Sequence, residues 1–104
     1  MSQIILANGH LVINVDVSNV FFGEASHVNL VYYAQRKTML LATVEDELFK
    51  GLHKTVMLML KLKNNRGDKS ISIQEIIIDN DIDPTDRVLD FQADSIMKII
   101  SIYF

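Results

Sequence analysis

The chain contains no cysteine and very little glycine. Without cysteine there is no disulfide framework, no thiol nucleophile, no zinc finger and no iron–sulfur ligand set. This absence fits a protein of a reducing compartment. The count of Gly is 4 and these residues are scattered, so neither a P-loop nor a dinucleotide-binding fingerprint is present.

Long apolar runs and a surplus of positive charge are missing as well. No stretch approaches the roughly 20 apolar residues of a membrane-spanning helix. The first residues, 1–8, carry no positive charge and too short an apolar run for a signal peptide. The formal net charge of -3 provides no basic surplus for a phosphate backbone. We therefore expect a cytoplasmic protein that binds neither a membrane nor a nucleic acid.

The residues that are present suit one folded domain. Hydrophobic residues make up 49% of the 104 residues and charged residues 22%, a balance that favours a packed core over disorder. A chain of this length buries roughly two-thirds of its unfolded surface. The sequence therefore predicts a single soluble domain over residues 1–104, without a cofactor.

A four-residue apolar repeat predicts one long amphipathic helix over about residues 44–65. The repeat consists of Val44, Leu48, Leu52, Val56 and Leu60. Thr43 is the expected N-cap, with Asp46 in the position of a capping box. Acidic residues in the first turn and basic residues in the last fit the helix macrodipole.

Shorter segments on both sides of this helix predict strands. They are Ile4–Ala7 and His10–Val17 joined by Asn8-Gly9, Val28–Ala34 and Met39–Ala42, and Arg87–Gln92 and Ile96–Phe104. Ser18–Ser26 is expected to be a loop. Ser70–Ile78 fits either one strand or a strand followed by a helical turn capped by Ser72, and its β-branched content favours the strand. We predict an α+β fold, with an antiparallel sheet of about six or seven short strands covered by the helix in the order ββββ-α-βββ.

The run Val56–Leu60 is apolar all the way round the predicted helix. Met57 and Leu58 therefore face either a partner or a neighbouring loop. Ile96–Phe104 carries little charge beyond Lys98, and as an edge strand it would be prone to pair with another chain.

The leading hypothesis from this pattern is a non-catalytic domain that acts through protein contact. We expect a homodimer, because twofold pairing is the commonest outcome for such surfaces, although another protein is an alternative partner. The predicted contact residues are Met57, Leu58, Ile100, Ile102 and Phe104.

A small-ligand binder or enzyme is the second hypothesis, with a pocket between the helix and the sheet. Its polar groups would be His27, His53, Tyr32 and Tyr33. The histidines do not have the spacing of metal ligands, and no nucleophile or triad is recognisable. No catalytic residue is therefore predicted.

Alternating carboxylates supply a third hypothesis. Asp79, Asp81, Asp83 and Asp90 stand at positions 1, 3, 5 and 12 of a segment that resembles the EF-hand calcium loop. The resemblance implies divalent-metal binding by residues 79–90. However, Pro84 follows where the loop needs glycine, and Asp90 replaces the long bidentate glutamate. We favour a solvated loop in which the short side chains bind nearby backbone.

The tripeptide Arg66-Gly67-Asp68 resembles an integrin-adhesion motif. Adhesion chemistry would require an exposed loop outside the cell, and nothing in the sequence indicates secretion. Gly67 is explained instead as the C-terminal cap of the predicted helix.

Overall fold

A computed structural model of the chain describes residues 2–104, which form one nine-stranded sheet and three short helices. The strands are β1 (Ile4–Ala7), β2 (His10–Ile13), β3 (His27–Tyr33), β4 (Thr38–Thr43), β5 (Val56–Met59), β6 (Lys61–Leu62), β7 (Lys69–Ser72), β8 (Arg87–Asp94) and β9 (Ile99–Tyr103). The helices are α1 (Val15–Phe21), α2 (Glu47–Leu52) and α3 (Gln74–Asp79). An antiparallel sheet is confirmed, but the prediction of one long helix covering it is wrong.

The sheet curls into a nearly closed, barrel-like shape. Its strand order is β5-β3-β4-β9-β8-β1-β2-β7-β6, and every pairing is antiparallel. The two strands at the ends of this order are consecutive in the chain, with Leu60 between them. One segment, residues 56–62, therefore pairs with β3 through its first half and with β7 through its second half.

The main core fills the inside of the curled sheet. Alternate residues of each strand point inward, as the period of two requires. The fully buried side chains on these inner faces include Ile4, Leu6, Leu11, Ile13, Leu30, Leu41, Ile71, Ile100 and Ile102. Val17 and Phe21 of α1 pack on the same cluster, so this helix is part of the main core.

A second, smaller core lies on the outer face of β3 and β4. Phe49 of α2 is buried there against Val31 and Ala42. The Asp46 carboxylate accepts a hydrogen bond from the Phe49 N–H at 2.9 Å. Asp46, and not Thr43, is therefore the N-cap that starts the helix.

The long-helix prediction failed because a spacing of four residues fits two kinds of structure. Residues i and i+4 share a face in a helix and also in a strand, whose period of two divides four. Gly51 and the β-branched pair Thr55-Val56 favour ending the helix and beginning a strand. The structure leaves Leu48 and Leu52 largely exposed and buries Leu60 in the main core.

The first hairpin is confirmed, since β1 pairs with β2 across Asn8-Gly9. Both turn residues have positive φ, 51° and 76°, as a two-residue hairpin turn of this kind needs. The second strand ends at Ile13, because the Asn14 side chain caps α1 directly afterwards. The prediction of a strand up to Val17 is therefore wrong. The predicted loop over residues 18–26 is wrong as far as Phe21, where α1 ends, and is confirmed for residues 22–26.

The two other predicted hairpins, β3–β4 and β8–β9, are confirmed. The favoured strand over residues 70–78 is wrong, because β7 is followed by α3, which is the alternative form. The predicted cap by Ser72 is absent, since the residue before α3 is Ile73 and it makes no side-chain cap. β9 lies between β4 and β8, so the prediction that the last strand is an edge strand is wrong.

Candidate functional site

β5 is an edge strand with a hydrogen-bonded neighbour, β3, on one side only. The antiparallel register places Met57 opposite Asn29. In the same register the Leu60 N–H donates to the Ser26 carbonyl at 2.8 Å. Backbone groups alternate in direction along an antiparallel strand. The N–H and C=O groups of Met57 and Met59 therefore point away from β3.

We call residues 56–59 the open edge. Three of its four side chains are 49–60% exposed, and all four are apolar. No charged residue lies between Lys54 and Lys61. Proteins normally protect an exposed edge strand with charge, proline or a covering element, so this edge has the character of a contact site.

A groove runs beside the open edge. β6 pairs with β7 where Lys61 lies opposite Ser70. The hydrogen-bonded pairing does not continue along β5, and the chain after β7 turns into α3. The resulting cleft has a volume of about 430 Å³, with Val56 and Leu58 on one wall and residues 72–76 and Asp79 on the other. We call it the seam groove.

Opposite charges flank the groove and the edge. Glu75 and Asp79 belong to the α3 wall, whereas Lys54 and Lys61 stand at the two ends of the apolar strand. All four residues are exposed. Among residues 2–104 none of these four side chains forms an ion pair with another residue. Their charges are therefore available to a second molecule.

The predicted contact residues are not brought together on one surface. Met57 is exposed on the open edge and Leu58 is half-buried against the main core. Ile100 and Ile102 are fully buried on β9, which has a paired strand on each side. Phe104 packs edge-on against Tyr32, with ring centroids 5.9 Å apart.

Two of the predicted pocket residues meet, but the four do not share a cavity. The Tyr33 hydroxyl and His53 Nδ1 form a hydrogen bond, and the His53 ring lies 4.7 Å from that of Phe49. This pair lies at the second core, on the outer face of the sheet. His27 instead forms a 2.8 Å hydrogen bond with the Ser26 hydroxyl.

Tyr32 lies apart from that pair, in a small cavity of about 140 Å³ that residues 80–83 and Phe104 also line. Burial raises the pKa of the Tyr32 phenol. The cavity contains none of the three histidines. The predicted acid–base grouping of histidine and tyrosine is therefore limited to the Tyr33–His53 contact.

The four aspartates of the acidic segment are spread over three elements. Asp79 ends α3, Asp81 and Asp83 lie in the following loop, and Asp90 lies on β8 opposite Tyr103. Hydrogen bonds from the Thr85 hydroxyl and N–H lower the pKa of Asp83. Within residues 2–104 no three His, Cys, Asp or Glu side chains are grouped so that they could hold a metal ion.

The Arg66-Gly67-Asp68 segment forms a turn between β6 and β7 and not a helix end. Asp68 Oδ1 accepts a hydrogen bond from the Val15 N–H at 2.8 Å, and Oδ2 accepts one from Asn64 Nδ2 at 2.9 Å. Gly67 has a φ of 101°, which favours glycine. The carboxylate that an adhesion motif would present is thus half-buried and already hydrogen-bonded within the protein.

The residues that the sequence analysis did not single out for this site are Met59, Lys54 and Glu75, whereas Asp79 was considered only as a metal ligand. A charge-free run between two lysines is a signal for an apolar strand, and it was present in the sequence. This strand signal was not recognised because residues 44–65 were interpreted as a helix. The position of α3 beside β5 has no local signal, because it depends on the closure of the whole sheet.

The comparisons with known proteins do not add to this picture. No protein-family model matches the chain, and neither a curated protein nor a solved structure matches it significantly. No helix in the part of the chain that the structure describes is both long and apolar enough to cross a membrane. The geometry of the site is therefore the basis for the functional argument.

Proposed function

We propose that the protein acts through protein contact, as a homodimer in which the open edge pairs with the open edge of a second copy. The observation that carries this proposal is the direction of the Met57 and Met59 backbone groups, which point away from β3. Such groups bind an added strand through main-chain hydrogen bonds. The exposed apolar side chains of the edge add burial at roughly 25 cal/mol for each Å² removed from water.

A second copy fits this edge because the strand is complementary to itself. In a twofold antiparallel pairing centred on Met57, the two Met57 residues lie opposite each other and Val56 lies opposite Leu58 of the second copy. Lys54 then lies opposite Leu60. Like charges directly opposite each other destabilise a sheet, and this register contains none.

Light scattering coupled to size-exclusion chromatography, over a dilution series, tests the proposal. We expect a dimer mass that falls toward the monomer mass on dilution. Met57→Lys places two lysines directly opposite each other, so it should weaken the dimer at least about tenfold.

Ile96→Lys is the matched control for this substitution. Ile96 is 90% exposed and lies in the turn between β8 and β9, so it introduces the same charge at an apolar site away from the open edge. We expect this control to dimerise as the wild type does. A wild type that stays monomeric at high concentration, or a Met57→Lys variant with unchanged affinity, would contradict the proposal.

A further inference from the structure

The open edge carries two exposed methionines. The chain has no cysteine, so all of its sulfur atoms belong to methionine. Met57 and Met59 are 60% and 52% exposed, and Met97, in the turn between β8 and β9, is 47% exposed. Met39 is fully buried in the main core. An oxidant in solution therefore reaches the open edge while the protein stays folded.

The two methionine side chains of the edge lie on the same face of the sheet. Leu58, between them, packs against the main core on the inner face. Side chains alternate along a strand, so Met57 and Met59 both point to the outer face. In the twofold pairing centred on Met57, the two Met57 side chains lie directly opposite each other. Met59 of each copy lies diagonally beside Met57 of the other, so four thioethers form one apolar strip across the dimer.

Oxidation would change the chemistry of this strip. A thioether that becomes a sulfoxide turns from an apolar group into a polar one that accepts hydrogen bonds. Directly opposite another sulfoxide it finds a second acceptor and no donor. Burying polar groups without hydrogen-bond partners is unfavourable, so the oxidised edges should pair weakly.

We infer that Met57 and Met59 form a reversible oxidation site at which a peroxide dissociates the dimer, and this inference rests on the proposed function. At each sulfur, one oxygen atom of hydrogen peroxide is transferred to the thioether, which is oxidised by two electrons, and the other oxygen leaves as water. Methionine sulfoxide reductases reverse the step. A dithiol supplies the two electrons and two protons with which the sulfoxide oxygen leaves as water.

Dimerisation and oxidation of the edge oppose each other. Pairing brings the four thioethers into contact and lowers their exposure, so each of them is oxidised faster in the monomer. The oxidation rates of Met57 and Met59 should therefore fall as the protein concentration rises through the dissociation constant of the dimer. The rate at Met97 should stay constant, because this residue lies away from the open edge.

Peroxide treatment of the wild type tests the inference. Peptide mass spectrometry, at protein concentrations below and above the dissociation constant, measures the oxidised fraction of each methionine. Below that constant, Met57 and Met59 should be oxidised at least about tenfold faster than the buried Met39. Light scattering should then show a dimer that is at least about tenfold weaker. A methionine sulfoxide reductase with dithiothreitol should restore the original affinity.

Two leucine variants are the matched controls. Leucine is apolar and close to methionine in volume, but it cannot be oxidised in this way. Met57→Leu with Met59→Leu should dimerise before and after peroxide treatment. Met97→Leu, which removes an exposed methionine away from the edge, should lose its dimer on oxidation as the wild type does. Circular dichroism of every sample reports whether the protein is still folded.

The outcomes separate this inference from the proposed function. A wild type that is monomeric at all concentrations overturns both. A dimer that Met57→Lys disrupts, but that persists when Met57 and Met59 are fully oxidised, overturns only the oxidation site. An affinity that the reductase does not restore also overturns it, and this measurement depends on no variant. Equal loss of the dimer in the double leucine variant would place the oxidised group elsewhere.

Discussion

Asp68 joins two parts of the chain that lie far apart in sequence. Its carboxylate accepts hydrogen bonds from Asn64 in its own turn and from the backbone of Val15 at the start of α1. The Asn64 hydrogen bond is the largest cause of a lowered Asp68 pKa, followed by the Val15 hydrogen bond and the charges of Arg66 and Lys63. The negative form of the side chain thus fixes the turn against the helix.

The lowered pKa of Asp68 makes part of the free energy of unfolding dependent on pH. Because the Asp68 pKa is lower in the folded state than its unfolded value of about 3.9, folding favours the ionised form. The contribution is fully present above the unfolded pKa and is lost as the pH falls through the lower, folded pKa.

We expect Asp68→Asn to lower the midpoint of thermal unfolding at neutral pH, because the NH2 group that replaces one carboxylate oxygen cannot accept a hydrogen bond, so either the Val15 or the Asn64 bond is lost. The difference from the wild type should shrink as the pH falls below about 4. Thermal unfolding of both proteins, followed by circular dichroism at several pH values, measures this difference in midpoint. Asp90→Asn, which removes a carboxylate from β8, is the control, and a difference independent of pH would contradict this account of Asp68.

At the scale of the element, β5 is the part of the chain that the sequence described least well. The hairpins were predictable because their signals are local, such as Asn8-Gly9 between alternating apolar residues. The repeat from Val44 to Leu60 was not decisive, because its spacing suits both a helix and a strand. What decides between them is the long-range pairing of β5 with β3 and of the following β6 with β7, which the repeat does not encode.

The candidate site, like the fold, was predictable from the sequence only in part. Met57 was predicted to be a contact residue because it was an unexplained apolar side chain, and that reason does not depend on the type of element. Ile100 and Ile102 were predicted from the apparent lack of charge in the last strand, which turned out to be a central strand with a buried face. Strand order is a property of long-range pairing, and composition alone does not reveal it.

Because backbone groups alternate in direction along β5, two neighbouring proline substitutions should differ in their effects: one should weaken the dimer and the other the monomer. Met57→Pro removes an N–H that points away from β3, so the monomer should lose little stability, while the dimer is lost. Leu58→Pro removes an N–H that points toward β3 and should cost at least about 2 kcal/mol of monomer stability.

Urea unfolding below the dimer dissociation constant measures the effect of each proline on the monomer. Light scattering above that concentration measures the effect of Met57→Pro on association. Equal destabilisation of the monomer by both prolines would contradict the assignment of the free side of β5.

At the scale of the whole molecule, one segment, residues 56–62, joins both ends of the sheet order. Its second half is covered by β7, but its first half is not. The first half, β5, therefore stays an open edge, at the place where the groove and the exposed apolar residues lie. Dimerisation there would extend the sheet without opening it.

A dimer formed in this way should make the stability of the protein depend on its concentration. Association stabilises the folded state by mass action, so the midpoint of thermal unfolding should rise with protein concentration. The midpoint of Met57→Lys should change much less over the same range. Scanning calorimetry at several concentrations measures this, and a wild-type midpoint that does not vary would count against a folded-state dimer.

The pairing of β1 with β8 has a consequence for the synthesis of the chain. Ile4 lies opposite Leu89, and the Asn8 N–H donates to Asp86 across 78 residues. A ribosome adds about 5–20 residues each second, so roughly 4–16 s pass between the emergence of the first partner and that of the second. During this interval the first hairpin has no neighbour on its β1 side, so the hydrogen-bonding edge of β1 stays exposed until β8 has been made.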